Sequence, residues 1–216
     1  MGWDVILFDL DGTLTDSGPG IMHAAQYALD AFGVHVEDAR TLSFFVGPPL
    51  VETFARYFPP EQVPAAIEQF RKYYREHGWL ENEPYPGVGE CLKALAVQGK
   101  KMFVATSKLE EMARRVLTHF GLMQYFTDVC GGLANDPGSG KKINVVRRAL
   151  TSAGCPDGTG AVLVGDRSYD VLGGHEAGLQ TVGVLYGYGS REELTSAGAD
   201  LLAETPEELK TILLYR

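Results

Sequence analysis

The stretch VILFDLDGTLTDS, residues 5–17, decides the fold because an apolar run at its start leads directly into acidic residues. Apolar runs that do not alternate with polar residues are typical of strands buried on both faces of a parallel sheet. Similar runs begin at residues 101, 161 and 181, and segments with helical spacing lie between them. Strands that alternate with helices predict an α/β fold with a doubly wound parallel sheet.

The alternation of strands and helices is interrupted after the first strand. Residues 17–83 show no strand pattern. Four segments there have helical spacing instead: residues 20–32, 37–45, 50–57 and 61–76. Two prolines and a glycine in residues 82–87 are typical of a linker. We therefore predict a core of residues 1–16 and 84–216, with an inserted all-helical cap subdomain of residues 17–83.

Composition and charge argue against several classes of protein. The 216 residues are 45% hydrophobic and 22% charged, close to the averages of globular proteins. The net charge of −9 argues against nucleic acids and anionic membranes as partners, because basic patches drive both interactions. No apolar run approaches the roughly 18 residues of a membrane span, and we expect no targeting signal at the N-terminus. Three widely spaced cysteines predict reduced thiols and a cytoplasmic location. The oligomeric state is not predicted.

Asp9 and Asp11 stand where the first predicted strand ends. In a doubly wound sheet, ligands bind beyond the carboxyl ends of the strands. Side chains two residues apart in an extended segment leave the same face, and two carboxylates so close predict a bound cation or one protonated acid. An Asp-Gly turn would explain Asp11 and Gly12, but it would leave Asp9 unexplained.

Two further acids, Asp166 and Asp170, follow the apolar run that begins at residue 161. Their spacing of four residues at a strand-to-helix junction allows the first helical turn to bring them together. With Asp9 they form a set of oxygen ligands without His or Cys, which suits Mg²⁺. Helix capping by Asp170 is the alternative explanation for this pair.

Hydroxyl and ammonium groups are predicted at the same edge of the sheet. Thr106 and Ser107 follow the run that begins at residue 101, and their hydroxyl and main-chain N–H groups could hold phosphate oxygens. An ordinary helix cap explains one of them equally well. Lys141 and Lys142 follow a glycine-rich loop, so one of them could direct its ammonium at the site, although paired lysines are usually solvated.

Four motifs in this order resemble those of the haloacid dehalogenase superfamily of phosphohydrolases. They are DLDGT at residues 9–13, VATSK at residues 104–108, a lysine after a loop, and GDRSYD at residues 165–170. The resemblance covers essentially the whole chain. It implies a Rossmann-like core and a Mg²⁺-dependent phosphatase that acts on a small phosphorylated metabolite.

The resemblance also implies a role for each matched acid. Asp9 is expected to be the nucleophile that forms an aspartyl-phosphate, and Asp11 the acid that protonates the leaving group and later activates water. Mg²⁺ would be held by the Asp9 side chain, the Asp11 main-chain carbonyl and Asp166. Asp170 would support these ligands without being one of the groups that hold the metal directly.

Binding of the transferring phosphoryl group is implied for Thr106 and one lysine. Both Lys141 and Lys142 fit the third motif, and the spacing to VVRRAL favours Lys142. Relatives usually have an arginine a few residues before this lysine, whereas Ser139 occupies the comparable place here.

Residues 44–50 (FFVGPPL) and 183–194 (GVLYGYGSREEL) are similar to the phosphoglycolate phosphatase-like branch of the superfamily. In that branch the helical cap chooses the substrate, and we expect Gly47 and Pro48 to contact it. A simple turn between helices explains these two residues equally well. A 5′-nucleotidase, a sugar phosphatase or a phosphosugar mutase similar to β-phosphoglucomutase are the alternative functions.

Overall fold

A computed structural model describes residues 2–136 and 138–215 of the chain. The chain forms two compact units, one of Met1–Thr15 with Pro84–Arg216 and one of Asp16–Glu83. It passes between them in two short strands, β2 (Thr15–Asp16) and β3 (Glu83–Pro84), which pair with each other. Among the described residues, none of the helices combines the length and the apolar character that a membrane span requires.

The first unit is built on a six-stranded sheet in the order β5-β4-β1-β6-β7-β8. Its strands are β1 (Val5–Phe8), β4 (Lys101–Leu109), β5 (Asp128–Gly132), β6 (Ala161–Gly165), β7 (Gln180–Val184) and β8 (Leu201–Ala203). All the pairings are parallel, and Val5 of β1 pairs with both Lys101 and Ala161. The strand order reverses at β1, so that the predicted doubly wound α/β fold is confirmed.

Helices cover the sheet and bury its central strand. They are α4 (Val88–Val97), α5 (Glu110–His119), α6 (Lys142–Ala153), α7 (Ser168–Glu176), α8 (Arg191–Ser196) and α9 (Pro206–Tyr215). The apolar face of α6 packs on β1, β4 and β6 in one buried cluster that includes Leu7, Phe103, Leu163, Val146 and Leu150. Burial of each such side chain contributes about 1.5–3 kcal/mol to stability.

The second unit consists of helices. They are α1 (Gly18–Asp30), a 3-10 helix (Ala39–Phe45), α2 (Leu50–Phe54), α3 (Val63–Glu76) and a second 3-10 helix (Gly78–Leu80). The helix expected over residues 37–45 is therefore a 3-10 helix, and the one expected over residues 50–57 ends at Phe54. Phe54 lies at the centre of the unit's core, with ring centroids 5.0 Å from Phe45 and 6.2 Å from Phe70.

Two glycines allow the segments of the second unit to approach closely. A Cβ atom built on Gly20 of α1 would lie 1.9 Å from the carbonyl oxygen of Gly78. Real Cβ atoms do not come so near to backbone atoms. Any side chain at residue 20 must therefore push α1 away from residue 78.

We predict that Gly20→Ala lowers the free energy of unfolding by roughly 1–3 kcal/mol, because the new methyl group meets backbone that has no alternative rotamer. Gly89→Ala is the matched control. Gly89 also lies in the first turn of a helix, and a Cβ atom there meets nothing within 4 Å. Its stability should be unchanged or raised by up to about 1 kcal/mol. Urea denaturation followed by circular dichroism measures both, and equal stability of the two variants would contradict the packing.

Candidate active site

The four predicted acids all lie at the carboxyl end of the sheet and are buried: Asp9, Asp11, Asp166 and Asp170. β1 ends at Phe8, but the Asp9 amide still donates to the Val164 carbonyl of β6 at 2.9 Å. The chain then turns at Gly12, whose φ of 85° is left-handed. The strand therefore holds Asp9 in register with β6, and Asp11 belongs to the turn.

Asp9, Asp166 and Asp170 come together in one group, in which one carboxylate oxygen of each lies within 4.8 Å of the others. Asp166 directly follows β6, and Asp170 lies in the first turn of α7. Asp170 also accepts a hydrogen bond from the Arg167 amide at 2.9 Å. Asp170 therefore caps helix α7 and also belongs to the acidic group.

The ammonium of Lys142 lies against this group. Its Nζ atom is 2.8 Å from Asp9 Oδ1 and 2.7 Å from Asp170 Oδ1, and it donates to the Ala105 carbonyl at 3.0 Å. Lys142 is the buried first residue of α6, whereas Lys141 is exposed just before the helix. Of the two lysines that the sequence left open, Lys142 is the one beside the acids.

Burial and charge shift the pKa values of this group. Burial raises the pKa of Asp9 from its ordinary value of 3.8 to about 6, although the Lys142 ammonium opposes this shift. Burial also raises the pKa of Asp166 well above its usual range, and the nearby carboxylates of Asp170 and Asp9 raise it further. Burial lowers the pKa of Lys142, but the two carboxylates beside it outweigh burial, so its ammonium stays charged. The negative charge of the three acids therefore exceeds what the single positive charge of Lys142 offsets.

Asp11 is not part of this acidic group, because its carboxylate forms an ion pair with a different lysine. Lys108 Nζ lies 2.8 Å from Asp11 Oδ1 and 2.9 Å from Oδ2, and both side chains are buried. Lys108 belongs to the VATSK motif, but it was not among the predicted site residues. A lysine close after an apolar run is too common in sequences to indicate a site by itself.

Thr106, Ser107 and Lys108 lie in an irregular part of β4. Ala105 pairs with Cys130 of β5 and Leu109 pairs with Gly132, so three residues of β4 lie opposite one residue of β5. Such a bulge redirects the side chains that it contains. Thr106 is buried and its hydroxyl accepts from the Lys108 amide at 3.2 Å, whereas Ser107 is half-buried.

The carboxylate of Asp166 is enclosed by the turn after β1 and by the loop after β7. Its Oδ2 atom accepts from the Tyr188 amide at 2.8 Å, and its Oδ1 atom accepts from the Thr13 hydroxyl at 3.3 Å. A Cβ atom on Gly12 would lie 2.2 Å from Asp166 Oδ2. Gly12 is thus required for this close approach as well as for the turn, whereas the sequence predicted only the turn.

Three other positions that the sequence singled out lie in connecting segments. Gly47 and Pro48 form the connection between the 3-10 helix Ala39–Phe45 and α2 in the second unit, and Gly47 has a left-handed φ of 99°. Ser139, at the place where an arginine was expected, is buried in the loop before α6 and accepts from the Leu133 amide at 2.7 Å. Ser139 therefore closes this loop.

Comparison with known proteins agrees with this geometry. Residues 6–184 match the family model described as haloacid dehalogenase-like hydrolase. The chain is 39% identical over 211 residues to the tyrosine-protein kinase PtkA of Mycobacterium tuberculosis, covering 97% of this chain and 72% of that protein. It is 36% identical to a 5′-nucleotidase of Pseudomonas aeruginosa, covering 88% and 86%. It is 31% identical to a phosphoglycolate phosphatase of Aquifex aeolicus, covering 97% and 96%.

Among solved structures, the crystal structure of a predicted phosphatase from Clostridium acetobutylicum is similar over the whole length of both chains. Its TM-score is 0.96 at 38% sequence identity. These similarities confirm the fold, the family and the class of enzyme that the motifs predicted, a phosphoric monoester hydrolase. The chain belongs to the haloacid dehalogenase-like hydrolase family.

Proposed function

We propose that this enzyme is a Mg²⁺-dependent phosphatase that hydrolyses small phosphomonoesters through an aspartyl-phosphate on Asp9. The observation that carries this proposal is the buried group of Asp9, Asp166 and Asp170 with the Lys142 ammonium, at the carboxyl end of the central strand. A carboxylate held there beside a cation site and an ammonium can attack a phosphorus atom whose negative charge is offset.

The charges of the site support a divalent cation. The four acids carry four negative charges when ionised, and Lys108 and Lys142 supply two positive charges. Arg167 is near Asp166, but Glu193 neutralises it at 2.9 Å. Two negative charges therefore remain, which one divalent cation would balance. Oxygen ligands without His or Cys suit Mg²⁺.

The residues that would hold Mg²⁺ are the carboxylates of Asp9 and Asp166 and the main-chain carbonyl of Asp11, with Asp170 in support. When bound, Mg²⁺ would screen the charge of the phosphoryl group. Asp9 Oδ would form the bond to phosphorus as the bond from phosphorus to the leaving oxygen breaks. Asp11 would donate a proton to that oxygen and then accept one from the water that hydrolyses the aspartyl-phosphate.

Positive charge and hydroxyl groups would bind the transferring phosphoryl group. Lys142 already contacts Asp9, so its ammonium is well placed to neutralise a phosphoryl oxygen there. The hydroxyl and amide groups of Thr106 and Ser107, at the end of the neighbouring strand, would supply further hydrogen bonds. Both steps then run between fixed groups, and each has a lower barrier than direct attack by water.

The proposed substrate class is small phosphomonoesters, with phosphoglycolate as the first candidate. A nucleoside 5′-monophosphate is the second candidate. It is included because the identity of this chain to the 5′-nucleotidase, 36%, is higher than its identity to the phosphoglycolate phosphatase, 31%. We propose that residues 17–83 act as the cap that selects the substrate and that Gly47 and Pro48 contribute to this selection. A cytoplasmic location is part of the same proposal.

We predict that Asp9→Asn abolishes turnover, by about 10⁴-fold or more, because an amide is not a nucleophile toward phosphorus. Asp4→Asn is the matched control, since Asp4 stands exposed at the opposite end of β1 and should be dispensable. Release of phosphate from p-nitrophenyl phosphate measures both, and acid-quenched wild type should carry a phosphoryl group on the peptide that contains Asp9. Full activity of Asp9→Asn, or full activity of wild type in EDTA, would overturn the proposal.

We also predict that ionisation of Asp9 destabilises the metal-free protein, and that this contribution grows as the pH rises through the range from 3.8 to about 6, the ordinary and the folded pKa values of Asp9. The sign follows because the folded state binds the proton of Asp9 more tightly than the unfolded state does, so ionisation opposes folding. In EDTA at pH 7.5, Asp9→Asn should therefore be more stable than wild type by roughly 1–3 kcal/mol, a gain that shrinks toward pH 4.

Thermal denaturation with and without MgCl₂ completes this test. Mg²⁺ should raise the melting temperature of wild type in a concentration-dependent way, since a ligand of the folded state stabilises it. It should have little effect on Asp9→Asn. If Asp9→Asn is less stable than wild type in EDTA at pH 7.5, the acidic group does not carry the excess of negative charge that we predict.

A substrate screen distinguishes the candidate substrates. Phosphoglycolate, nucleoside 5′-monophosphates and sugar phosphates should be compared by kcat/KM, because this ratio measures discrimination between substrates. We expect release of inorganic phosphate from one of these classes to exceed the others by at least about 10-fold. Conversion of glucose 1-phosphate without release of phosphate would instead identify a mutase.

A further inference from the structure

The loop after β7, residues 186–189 (Tyr-Gly-Tyr-Gly), packs against the acids but has no role in the proposed mechanism. The Tyr188 amide donates to Asp166 Oδ2. A Cβ atom on Gly187 would lie 2.2 Å from the Gly12 carbonyl oxygen and 2.4 Å from Asp166 Cβ. A Cβ atom on Gly189 would lie 1.9 Å from the Asp166 carbonyl oxygen. The loop therefore lies directly against both the turn after β1 and the residue after β6.

One side chain of this loop, Tyr186, reaches the turn that carries Asp11. Its hydroxyl donates to the Thr13 carbonyl at 3.1 Å. Its ring packs edge-on against Tyr85, with centroids 5.0 Å apart, and the Tyr85 amide donates to the Leu14 carbonyl at 3.1 Å. Burial raises the pKa of Tyr186, so its hydroxyl stays protonated and remains a donor. Two consecutive carbonyls of the turn are thus held from outside it.

The main-chain hydrogen bonds within residues 10–15 measure 2.8–3.1 Å, except the bond from the Thr13 amide to the Leu10 carbonyl, which measures 3.3 Å. Thr13 therefore makes the longest of these bonds, and the Tyr186 hydroxyl restrains the same residue from outside the turn. Asp11 lies next to Gly12, so a rotation at Gly12 moves the Asp11 carboxylate. Proton transfer requires a donor at hydrogen-bond distance, and a displacement of about 1 Å can cost as much as 10²-fold in rate.

We propose that Tyr186 is a positioning residue, which holds the turn that carries Asp11 in line with the leaving group through the hydrogen bond from its hydroxyl to the Thr13 carbonyl. The inference rests on the proposed function, in which Asp11 protonates the leaving group. Tyr186 itself touches neither the substrate nor the reacting atoms in this account. Its effect is to make proton donation by Asp11 efficient.

The test compares two esters of similar size, p-nitrophenyl phosphate and phenyl phosphate. The nitrophenolate leaves readily without a proton, whereas the more basic phenolate depends on protonation by an acid. Tyr186→Phe keeps the ring and removes the hydroxyl. We expect kcat/KM to fall about 10-fold or more for phenyl phosphate and about 3-fold or less for p-nitrophenyl phosphate. The ratio of the two values is independent of how much of the variant is folded, so a loss of stability cannot imitate this result.

Thr15→Val is the matched control. Thr15 is fully buried at the end of the same turn, and among the described residues its hydroxyl has no hydrogen-bond partner. Removal of that hydroxyl should leave the ratio as in wild type. Asp11→Asn gives the reference for complete loss of the acid, and Tyr186→Phe should shift the ratio in the same direction by a smaller amount.

The outcomes separate this inference from the proposed function. If wild type hydrolyses both esters and Tyr186→Phe has the wild-type ratio, the inference is overturned and the phosphatase stands. If wild type hydrolyses neither ester with Mg²⁺, the proposed function fails and the inference fails with it. A shift of the ratio in Thr15→Val equal to that in Tyr186→Phe would also overturn the specific role of the Tyr186 hydroxyl.

Discussion

Four carboxylates buried at one end of a parallel sheet are the constraint on which the rest of the first unit depends. Burial of a charge is costly unless a partner of opposite charge compensates for it. Lys142 and Lys108 each reach the acids from a different element, one from the start of α6 and one from the bulge in β4. These two elements therefore offset the charge of the acids in addition to their packing and pairing within the unit.

Glycine is the second means by which the acids are brought together. Gly12, Gly165 and Gly187 each stand where a Cβ atom would overlap with the side chain of Asp166 or Asp170. Main chain from the turn after β1, the end of β6 and the loop after β7 can thus approach the carboxylates, and main-chain N–H groups such as that of Tyr188 become their donors. The site is a packing arrangement of backbone around carboxylates as much as a set of side chains. This is why the loop after β7 belongs to it.

Much of the fold could be predicted because its elements have strong local patterns. The central strands are apolar throughout, and a glycine with left-handed backbone closely follows each of four helices: Gly99, Gly121, Gly154 and Gly178. The elements missed include the strands β2, β3 and β8 and the helices α8 and α9. β8 has three residues and α8 has six, too few for a period to show. Residues 37–45 have helical spacing, but Gly47 and two prolines follow closely, and the segment forms a 3-10 helix.

The sequence by itself determined the order of strands and helices, the acids at the carboxyl end of the sheet and the family, because these depend on residue types at short spacings. Only the tertiary structure decided which lysine meets which acid. Lys108 and Asp11 are 97 residues apart, a separation that no local motif spans. Lys141 and Lys142 are neighbours in the sequence, and the fold decides that Lys142, the first residue of α6, is the buried one. Contacts of Tyr186 with Thr13, 173 residues away, belong to the same class. Such contacts arise when the sheet brings the ends of its strands together, and no periodicity along the chain encodes them.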